Sequence, residues 1–366
     1  MAATVLLWAV GLALLYQFGV FAWNAVYWVR RRPESDSGEP TLSVLIPARN
    51  EIRNLPVLLA ALQAQTLHPT EIIVCDDHSD DGMRDWLQEH AAEFGVKWFQ
   101  ADPKPDDWVG KNWACHQLAV HATGDWFLFL DADIRPKPGF LEFIVNACRR
   151  TSAVLVTAFP SIDRAGVGDG LIIGMVPFSV CTMLPLNHVE KTNIPAFAFA
   201  NGQIMAFRRE DYLRIEPHRQ VRGLVLEDVG IARLVKRLRG RVHIADARHV
   251  VAARMYETTG QAIAGFSKNA VAITGGRLGA AVSLVSLTTT YLVPIGLAAA
   301  GYKAAWAIVG AGALLYGIPA YLSGLPMWFG LLYPAAIALA ELVMIRSLIW
   351  NTRGCVQWKG RIYRRC

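Results

Sequence analysis

Charged residues are scarce in this sequence, and the scarcity has local causes. Asp, Glu, Lys and Arg make up 18% of the 366 residues, whereas hydrophobic residues make up 53%, a high ratio for a purely soluble protein. Residues 5–29 are apolar apart from Gln17 and Asn24, which is about the length needed to cross a bilayer. A second apolar block runs from residue 279 to residue 350. We therefore predict a membrane-bound protein.

Several common binding motifs are missing as well. Neither GxGxxG nor GxxxxGK[ST] occurs, so a bound diphosphate must be held by a metal ion and by lysine or arginine. The net charge is +6, but no zinc-ligand spacing or RNA-binding aromatic motif accompanies it, and no nucleic acid partner is predicted. The basic residues flank the apolar segments, which indicates membrane orientation and contact with anionic lipid. The six cysteines form no CxxC pair, which fits reduced thiols in a cytoplasmic domain.

The flanks of the apolar segments predict a multi-pass protein of the cell membrane and leave one conflict. Residues 1–32 form an N-terminal anchor that ends in three arginines, so the N-terminus lies outside and the domain that follows is cytoplasmic. No basic residue precedes this segment and no small-residue cleavage site is evident, which argues against a cleaved signal peptide. The block 279–350 divides into about three passes, 280–300, 304–322 and 327–350. Three passes leave the C-terminus outside, whereas the basic tail 351–366 favours the inside. One re-entrant or interfacial segment would resolve the conflict, and the sequence does not identify which.

Residues 40–258 read as an α/β domain. Buried strands are predicted at 42–47, 71–75, 96–99 and 126–130, with helices at 54–65, 83–94 and 111–122 between them. This alternation predicts a mostly parallel sheet with helices on both faces. Beyond residue 133 the pattern becomes less regular.

The second half of this domain carries shorter predicted elements. We predict a strand at 154–159, a strand–turn–strand at 197–207, a helix at 229–238 and a strand at 242–245. The apolar stretch 171–186 is interrupted by prolines and is too irregular for a spanning helix. Residues 259–278 are predicted to form an amphipathic interfacial helix that leads into the membrane block.

Two pairs of acids follow two of the predicted strands. Asp131 and Asp133 come directly after the apolar strand 126–130, and Asp76 and Asp77 come after the strand 71–75. Ligands of open α/β sheets bind beyond the carboxyl ends of the strands. Paired acids at that place suit a divalent cation that takes oxygen ligands and bridges a diphosphate. A turn with two solvated acids is the alternative.

Five motifs occur in a fixed order, and together they resemble the family 2 glycosyltransferases, which have a GT-A fold. The motifs are V-L-I-P-A-R-N-E (44–51), V-C-D-D-H-S-D-D-G (74–82), V-G-K-N-W-A-C (109–115), D-A-D (131–133) and L-E-D (226–228). The resemblance covers about residues 40–245. Four further stretches, 109–117, 201–203, 225–236 and 254–257, are similar to carotenoid glycosyltransferases of the staphyloxanthin pathway and to hopanoid-associated relatives. The tail 358–363 resembles both these enzymes and ceramide glucosyltransferases.

The resemblance implies a role for each motif. Asp228 would act as the general base that takes the proton from the acceptor hydroxyl, in a single displacement that inverts the anomeric carbon. Asp133 would bind Mg²⁺ or Mn²⁺, which neutralises the charge growing on the departing UDP. Asp77 would accept a hydrogen bond from uracil, Lys111 would lie near the diphosphate and Asp131 would face the sugar–ribose side. The remaining substrate-binding residues that the resemblance implies are Pro47, Ala48, Arg49, Glu51, Asn201, Gly202 and Glu227.

Several of these residues also have an ordinary structural explanation. An acid after a strand, such as Asp77, serves in turns or as a helix cap, although Asp76 or Ser79 could supply that contact. A lysine at a helix start, such as Lys111, is often solvated. Glu227 and Asp228 could form a simple acid pair in the first turn of a helix.

One motif of the wider family is absent. Processive and many lipid-acceptor relatives carry Q/R-x-x-R-W after the base, whereas residues 265–269 here read G-F-S-K-N. Lys268 is a candidate to replace the arginine at the diphosphate. The missing motif argues against a polysaccharide synthase that holds a growing chain.

The sequence thus predicts a membrane-bound inverting glycosyltransferase. It would transfer a sugar, with glucose as the default, from a UDP-sugar to a lipid hydroxyl or carboxyl, and a carotenoid-type or other isoprenoid acceptor is placed first. A polyprenyl phosphate, a sphingolipid or a glycerolipid is the alternative acceptor. A non-catalytic membrane assembly or transport subunit is the alternative from another class, but the intact Asp77, Asp133 and Asp228 argue against it.

Overall fold

A computed structural model describes residues 1–29, 40–163, 166–358 and 361–364, without the side chains of 355–364. The chain divides into two compact units. One unit, which we call the membrane unit because it contains the apolar helices, comprises the N-terminal helix, Ile162–Leu186 and the chain from Met255 onward. The other, the sheet unit, comprises the rest up to Arg254. The apolar stretch near 171–186 therefore groups with the N- and C-terminal helices, inside the range predicted for the α/β domain. The boundaries predicted for the domains stay predictions.

Strands and α-helices alternate along much of the described chain. The strands are β1 Leu42–Ala48, β2 Glu71–Asp76, β3 Lys97–Gln100, β4 Trp126–Leu130, β5 Ile134–Pro136, β6 Leu155–Phe159, β7 Ser161–Ile162, β8 Ile204–Arg208, β9 Val242–Asp246, β10 Val251–Ala253, β11 Cys355–Trp358 and β12 Arg361–Arg364. The α-helices are α1 Ala2–Val29, α2 Leu55–Gln63, α3 Met83–His90, α4 Gly110–His121, α5 Phe140–Arg149, α6 Val167–Ile173, α7 Met175–Met183, α8 Leu186–Lys191, α9 Arg209–Ile215, α10 Pro217–Gln220, α11 Glu227–Arg237, α12 Thr259–Ser267, α13 Ala270–Ile273, α14 Arg277–Leu287, α15 Val293–Ala299, α16 Lys303–Leu322 and α17 Tyr333–Thr352. Short 3₁₀ segments cover Pro195–Phe197 and Met327–Leu332, and a π-helical turn covers Thr288–Leu292.

A seven-stranded sheet in the order β3-β2-β1-β4-β8-β6-β9 forms the centre of the sheet unit. β1 pairs in parallel with β2 and β4, β2 with β3, and β6 with β9, whereas β8 runs antiparallel to both of its neighbours. The predicted mostly parallel sheet is thereby confirmed. Small sheets of three strands (β5-β10-β7) and two strands (β11-β12) accompany it.

The burial pattern explains why these segments become strands and helices. All five residues of β4 are buried, as expected for a strand covered by helices on both faces. In α2 the buried residues are Leu55, Leu58, Leu59 and Leu62, which recur at the helical period and form a single buried stripe.

Two predicted elements are wrong in detail. In the predicted strand–turn–strand at 197–207 the first strand is absent; a 3₁₀ turn, Pro195–Phe197, and a loop lead directly to β8. Pro195 favours this turn because it fixes φ and has no N–H for a sheet ladder. The predicted single helix from 259 is broken into α12 and α13, and Ser267 Oγ donates to the Ile263 carbonyl just before the break. Such back-bonding competes with the helix ladder.

The membrane unit contains four helical segments that are long and apolar enough to cross a membrane: 2–28, 277–299, 303–322 and 327–352. The first matches the predicted anchor, and the other three match the predicted passes. The segment 277–299 has 23 residues, about 34 Å at the helical rise, which exceeds the hydrocarbon core of a bilayer.

The last apolar segment, 327–352, contains α17, whose direction follows from two contacts with the segment 277–299. At the start of α17 the Tyr333 hydroxyl donates to the Tyr291 carbonyl (3.2 Å), which lies beyond the middle of the segment 277–299. At the end of α17 the Arg277 guanidinium, which begins α14, donates to the Asn351 carbonyl (2.9 Å). α17 therefore runs antiparallel to α14 and ends beside the start of α14.

α16 has the same direction as α17. Ala305 near the start of α16 packs with Ala298 at the end of α15, and a Cβ on Gly312, farther along α16, would lie 3.5 Å from Tyr291 Cδ1. α16 therefore also runs antiparallel to the segment 277–299. Residues 323–332 make the return between α16 and α17, and a Cβ placed on Gly317 of α16 would lie 2.9 Å from Gly330 Cα. The two glycines thus allow the returning chain to pack closely against α16.

Candidate active site

The site is formed at the carboxyl ends of β1, β2 and β4. Because these strands are parallel neighbours, the residues that follow them share one edge of the sheet. Arg49 follows β1, Asp77 follows β2 and Asp131 follows β4. This edge is where ligands bind in open α/β sheets.

Backbone and side-chain hydrogen bonds join the loops after β1 and β2. An Arg49 guanidinium nitrogen donates to the carbonyls of Asp77 (2.6 Å) and His78 (2.8 Å), and the Asp77 amide donates to the Ala48 carbonyl (2.8 Å). The Asn50 amide donates to Ser79 Oγ (2.9 Å). The predicted nucleotide-pocket residues of these two loops, Ala48, Arg49 and Asp77, are therefore brought together, with Pro47 beside them in β1.

The two acids at the end of β2, Asp76 and Asp77, have different contacts. Asp76 Oδ1 accepts the Ser79 amide (3.0 Å), so Asp76 makes the turn contact that is the alternative explanation for Asp77. Asp77 is 4% exposed. Glu51, in the neighbouring loop, accepts from Asn54 Nδ2 (2.7 Å), and Asn54 Oδ1 in turn accepts from the Arg135 guanidinium.

Lys111 is surrounded by oxygen atoms. Its ammonium contacts both carboxylate oxygens of Asp131 (2.7 and 2.8 Å), Glu227 Oε1 (2.9 Å) and the Gly202 carbonyl (3.2 Å). Burial lowers the pKa of Lys111, but the carboxylates of Asp131 and Glu227 outweigh burial and raise it well above its ordinary value. Lys111 is therefore positively charged, and it joins the start of α4, the end of β4 and the start of α11.

The carboxylate of Asp133 accepts hydrogen bonds from the side-chain amide of Gln203. Gln203 Nε2 donates to both carboxylate oxygens of Asp133 (3.1 and 3.0 Å), and the Gln203 carbonyl accepts the Asp131 amide (3.0 Å). Burial, together with the negative charges of Asp131 and Glu51, raises the pKa of Asp133 to about 7. Burial also raises the pKa of Asp131, and Lys111 opposes that rise.

Asp228 lies at the N-terminus of α11. Its Oδ2 accepts the Gly202 amide (3.1 Å) and its Oδ1 accepts the Val229 amide (2.7 Å). Burial and the neighbouring Glu227 raise the pKa of Asp228 to about 7, while the backbone donors partly oppose the rise. A carboxylate whose pKa is near neutrality can both accept and release a proton.

The turn 201–203 connects the acids that follow β4 to those at the start of α11. Asn201 Oδ1 accepts the Gln203 amide (3.0 Å), and the Asn201 amide donates to Thr157 Oγ1 (2.9 Å). A Cβ on Gly202 would lie 3.1 Å from Glu227 Oε1 and 3.2 Å from Asp228 Oδ2. Glycine at this position therefore permits the close approach of the turn to both acids.

The structure also shows two contact residues to which the sequence assigned no role. Gln203 is part of the motif 201–203, and its amide contacts Asp133. Asn112 is fully buried, and its Nδ2 faces the carbonyls of Val221, Leu224 and Arg222 in the loop before α11. Both contacts join residues that are far apart in the chain, and no local signal could have revealed them.

Lys268, the remaining predicted site residue, lies in the membrane unit at the end of α12. The role predicted for it stays a prediction.

A divalent cation fits the carboxylates at the end of β4. The raised pKa of Asp133 reflects burial and mutual repulsion of carboxylates, and a cation would relieve the repulsion. Among the described residues, no group of three or more His, Cys, Asp or Glu side chains could hold a metal alone. Mg²⁺ is commonly bound by one or two carboxylates together with substrate phosphates, and Asp133 could supply one such carboxylate.

Comparisons with known proteins agree with this geometry. Residues 43–212 match the family described as Glycosyl transferase family 2. The chain is 28% identical over 228 residues to a 4,4'-diaponeurosporenoate glycosyltransferase of Staphylococcus haemolyticus (strain JCSC1435), covering 60% of this chain and 58% of the relative. It is 25% identical over 220 residues to the protein of the same name from Staphylococcus aureus (strain MRSA252), covering 59% and 56%. The chain thus spans less than two thirds of the length of the curated relatives it matches.

A solved structure shows the same fold over nearly the whole chain. A mannosyltransferase from Pyrobaculum calidifontis, in complex with GDP-Man and Mn²⁺, aligns with a TM-score of 0.52 at 18% identity, covering 94% of this chain and 99% of the other. Residues 43–212, with their parallel strands and the acids that follow them, thus match the family 2 glycosyltransferases, and the sheet unit has the GT-A fold.

Proposed function

We propose that this protein is a membrane-bound inverting glycosyltransferase that transfers a sugar from a UDP-sugar to an isoprenoid-type lipid. The arrangement that carries the proposal is the turn 201–203. This turn contacts Asp133 through Gln203 and Asp228 through Gly202, so the carboxylate after β4 and the carboxylate of α11 are fixed on one framework. The names of the Staphylococcus relatives support the carotenoid-type acceptor.

Different residues of the chain would bind the nucleoside and the metal ion. The joined loops after β1 and β2 would hold the nucleoside, with Asp77 accepting from the base and Arg49 shaping the pocket. Asp133 would hold a divalent cation, and Mn²⁺ in the similar mannosyltransferase supports such a metal. When bound, the cation supplies positive charge that stabilises the departing diphosphate.

The acids near Lys111 would bind the sugar and deprotonate the acceptor. Asp131 and Glu227, both fixed by Lys111, would accept hydrogen bonds from the sugar hydroxyls. Asp228 would take the proton of the acceptor, while the acceptor oxygen attacks the anomeric carbon from the side opposite to the leaving UDP. Such a single displacement inverts the configuration.

Radiolabel transfer tests the proposal. Membranes containing the protein, UDP-[¹⁴C]glucose and Mg²⁺ or Mn²⁺ should yield labelled organic-extractable lipid. Asp228→Asn should reduce the transfer by a factor on the order of 10³. The matched control Glu210→Gln, at an exposed position of α9 in the same unit, should leave it unchanged. UDP-galactose, UDP-N-acetylglucosamine and GDP-mannose, offered in place of UDP-glucose, identify the donor.

The alternative from another class makes a different prediction. A non-catalytic membrane subunit would bind UDP without transferring or hydrolysing any of these donors. Asp228→Asn would then change nothing, and the proposed function would be abandoned.

A further inference from the structure

The segment between α8 and the turn 201–203 reverses the usual placement of small and large apolar side chains. Residues 197–200 read F-A-F-A, and the backbone at Ala198 is extended. Successive side chains of an extended chain point to opposite sides. Ala200 belongs to the core of the sheet unit and Ala198 packs against that core, so Phe197 and Phe199 point away from it. Both phenylalanines are partly exposed, and the large side chains thus occupy the outer positions.

Ile194 adds a third large apolar side chain to the same segment. It is 51% exposed and directly precedes the 3₁₀ turn Pro195–Phe197. Single exposed apolar residues are common on protein surfaces, whereas several on one short segment mark a place where an apolar partner binds. We call Ile194, Phe197 and Phe199 the 194–199 surface.

Both ends of this segment are held by hydrogen bonds within the sheet unit. The buried ammonium of Lys236 in α11 donates to the carbonyls of Val189 and Thr192, both at 2.5 Å. At the other end the Asn201 amide donates to Thr157 Oγ1 (2.9 Å). The residues between are therefore held in place before any ligand binds, which lowers the entropic cost of binding.

The 194–199 surface leads directly to the proposed base. Phe199 is three residues before Gly202, so their Cα atoms are at most about 11 Å apart. The Gly202 amide donates to Asp228 Oδ2 (3.1 Å). An acceptor whose oxygen reaches Asp228 must place the hydrocarbon behind that oxygen on the surface beside this carboxylate.

We propose that Ile194, Phe197 and Phe199 bind the hydrocarbon chain of the lipid acceptor, next to its reacting end. This binding surface rests on the proposed function and adds a subsite to it. The contacts are apolar, so they serve an acceptor that reacts through a hydroxyl and one that reacts through a carboxyl equally well. Because burial of apolar area is favourable in proportion to that area, the surface selects for chain length.

Chain-length preference tests the proposal with the full-length protein in detergent. Geraniol and farnesol differ by one isoprenoid unit, and so do geranic acid and farnesoic acid. Each pair gives a ratio of kcat/KM values that does not depend on the reacting group. With Mg²⁺ and the best of the four sugar donors, the parent protein should favour the longer acceptor by a factor on the order of ten. Phe199→Ser should reduce this ratio to about one.

Three further variants separate loss of chain contact from damage to the fold. Ile194→Ser changes a side chain that is already half exposed, so it should lower the ratio with little effect on thermal unfolding. Phe199→Leu keeps an apolar side chain and should keep most of the preference. Leu213→Ser, at a 49% exposed position of α9 in the same unit, is the matched control and should leave the ratio unchanged. Calorimetric UDP affinity should be the same in all of these variants.

Photolabelling locates the bound chain without requiring turnover. Diazirine analogues of farnesol and of farnesoic acid are irradiated with the protein and UDP, and the protein is then digested with trypsin. Cleavage after Lys191 and Arg208 releases residues 192–208 as one peptide, because no Lys or Arg lies between these two cleavage sites. We expect label on this peptide, and we expect unmodified farnesol or farnesoic acid to displace it.

The outcomes separate the proposed surface from the proposed function. A lowered ratio in Phe199→Ser or Ile194→Ser, together with displaceable label on residues 192–208, supports the surface. Unchanged ratios in both variants overturn it and leave the glycosyltransferase intact. Label that is absent from this peptide, or that unmodified acceptor does not displace, also overturns it, because label that is not displaced reports contact with detergent. Transfer from no donor to any acceptor overturns the proposed function and the surface together.

Discussion

Glu227 and Asp228 are adjacent in the chain but have different partners. Glu227 forms an ion pair with Lys111, whereas Asp228 accepts amides of Gly202 and Val229. Lys111 contacts Glu227 directly, and from farther away its charge partly opposes the rise in the pKa of Asp228.

The first prediction concerns pH. Burial and Glu227 raise the pKa of Asp228 to about 7, and only the deprotonated form can take a proton. We therefore expect kcat to rise with pH through about 7 and then to level off. Glu227→Gln removes the adjacent negative charge, which lowers the pKa of Asp228 and moves the midpoint to lower pH by about one unit.

Transfer rates at saturating donor and acceptor, measured across pH, check this prediction. The exposed Glu210→Gln is the control and should leave the midpoint in place. A midpoint that stays fixed or moves to higher pH in Glu227→Gln would show that Asp228 is not the group that titrates.

The second prediction concerns Gln203, which donates to both oxygens of Asp133. Gln203→Leu removes these donors but keeps a similar volume, so the carboxylate loses its orientation. Because loss of a supporting hydrogen bond commonly weakens metal binding, we expect Mn²⁺ affinity to fall by about tenfold. Calorimetric Mn²⁺ titration in the presence of UDP measures this directly.

A matched variant distinguishes loss of the Asp133 orientation from the general effect of removing a buried amide. Gln65→Leu removes a buried amide that bonds to backbone groups elsewhere in the sheet unit, and it should leave Mn²⁺ affinity unchanged. Equal affinities in Gln203→Leu and the parent protein would contradict a role for Gln203 at the metal.

At the scale of elements, the start of α4 holds the loop that precedes α11. Asn112 Nδ2 faces the carbonyls of Val221, Arg222 and Leu224 at 3.0 to 3.1 Å. The Val109 amide donates to the Arg222 carbonyl (2.7 Å) as well. The loop that leads into Glu227 and Asp228 is therefore fixed to the same helix end that carries Lys111.

The third prediction follows from this contact. Asn112→Asp keeps the shape of the side chain but replaces the amide donor with an acceptor, so three carbonyls face a carboxylate. We expect a loss of about 3 kcal/mol in the free energy of unfolding, because buried polar groups lose their partner. We also expect kcat to fall by at least about tenfold, because Asp228 is displaced.

Thermal unfolding in detergent and steady-state kinetics check both effects. Asn193→Asp, at an exposed position, is the control for the same chemical change and should behave like the parent protein. A variant that folds as stably as the parent and keeps its kcat would show that the loop before α11 does not depend on Asn112.

The elements also show what the sequence could and could not predict. Asp77, Asp131 and Asp133 were located correctly at strand ends because each closely follows a strand, and parallel pairing brings strand ends together. The partners of Lys111, Asp133 and Asn112 come from segments far along the chain, and no local pattern encodes such pairings. The strand predicted before Asn201 failed because Pro195 and the contact with Thr157 favour a turn and loop.

At the scale of the whole molecule, the structure addresses the conflict in the C-terminal topology. α14–α15 and α16 run in opposite directions, as expected for two crossings. α17 then runs in the same direction as α16, begins beyond the middle of the neighbouring segment and ends beside Arg277. We therefore predict that the last apolar segment is re-entrant. The end of α17 lies on the side of Arg277. That placement agrees with the basic residues of the tail, which favour the cytoplasmic side.

The last prediction tests this topology with cysteine labelling. Cys355 and Cys366 lie in the tail, whereas Cys75, Cys115, Cys148 and Cys181 are buried, so the native tail supplies the reporter. Tyr302→Cys, in a background with Cys355→Ser and Cys366→Ser, reports on the turn between α15 and α16, where Tyr302 is 44% exposed.

A membrane-impermeant maleimide is applied to intact cells and to inverted vesicles. If the last segment is re-entrant, the tail cysteines and the cysteine introduced at position 302 react from opposite sides. If the segment crosses the membrane completely, both react from the same side. The comparison does not depend on which side is cytoplasmic, and the variant without Tyr302→Cys sets the background. Labelling from the same side would mean that α17 crosses the bilayer, and the basic tail would then be an exception to the positive-inside rule.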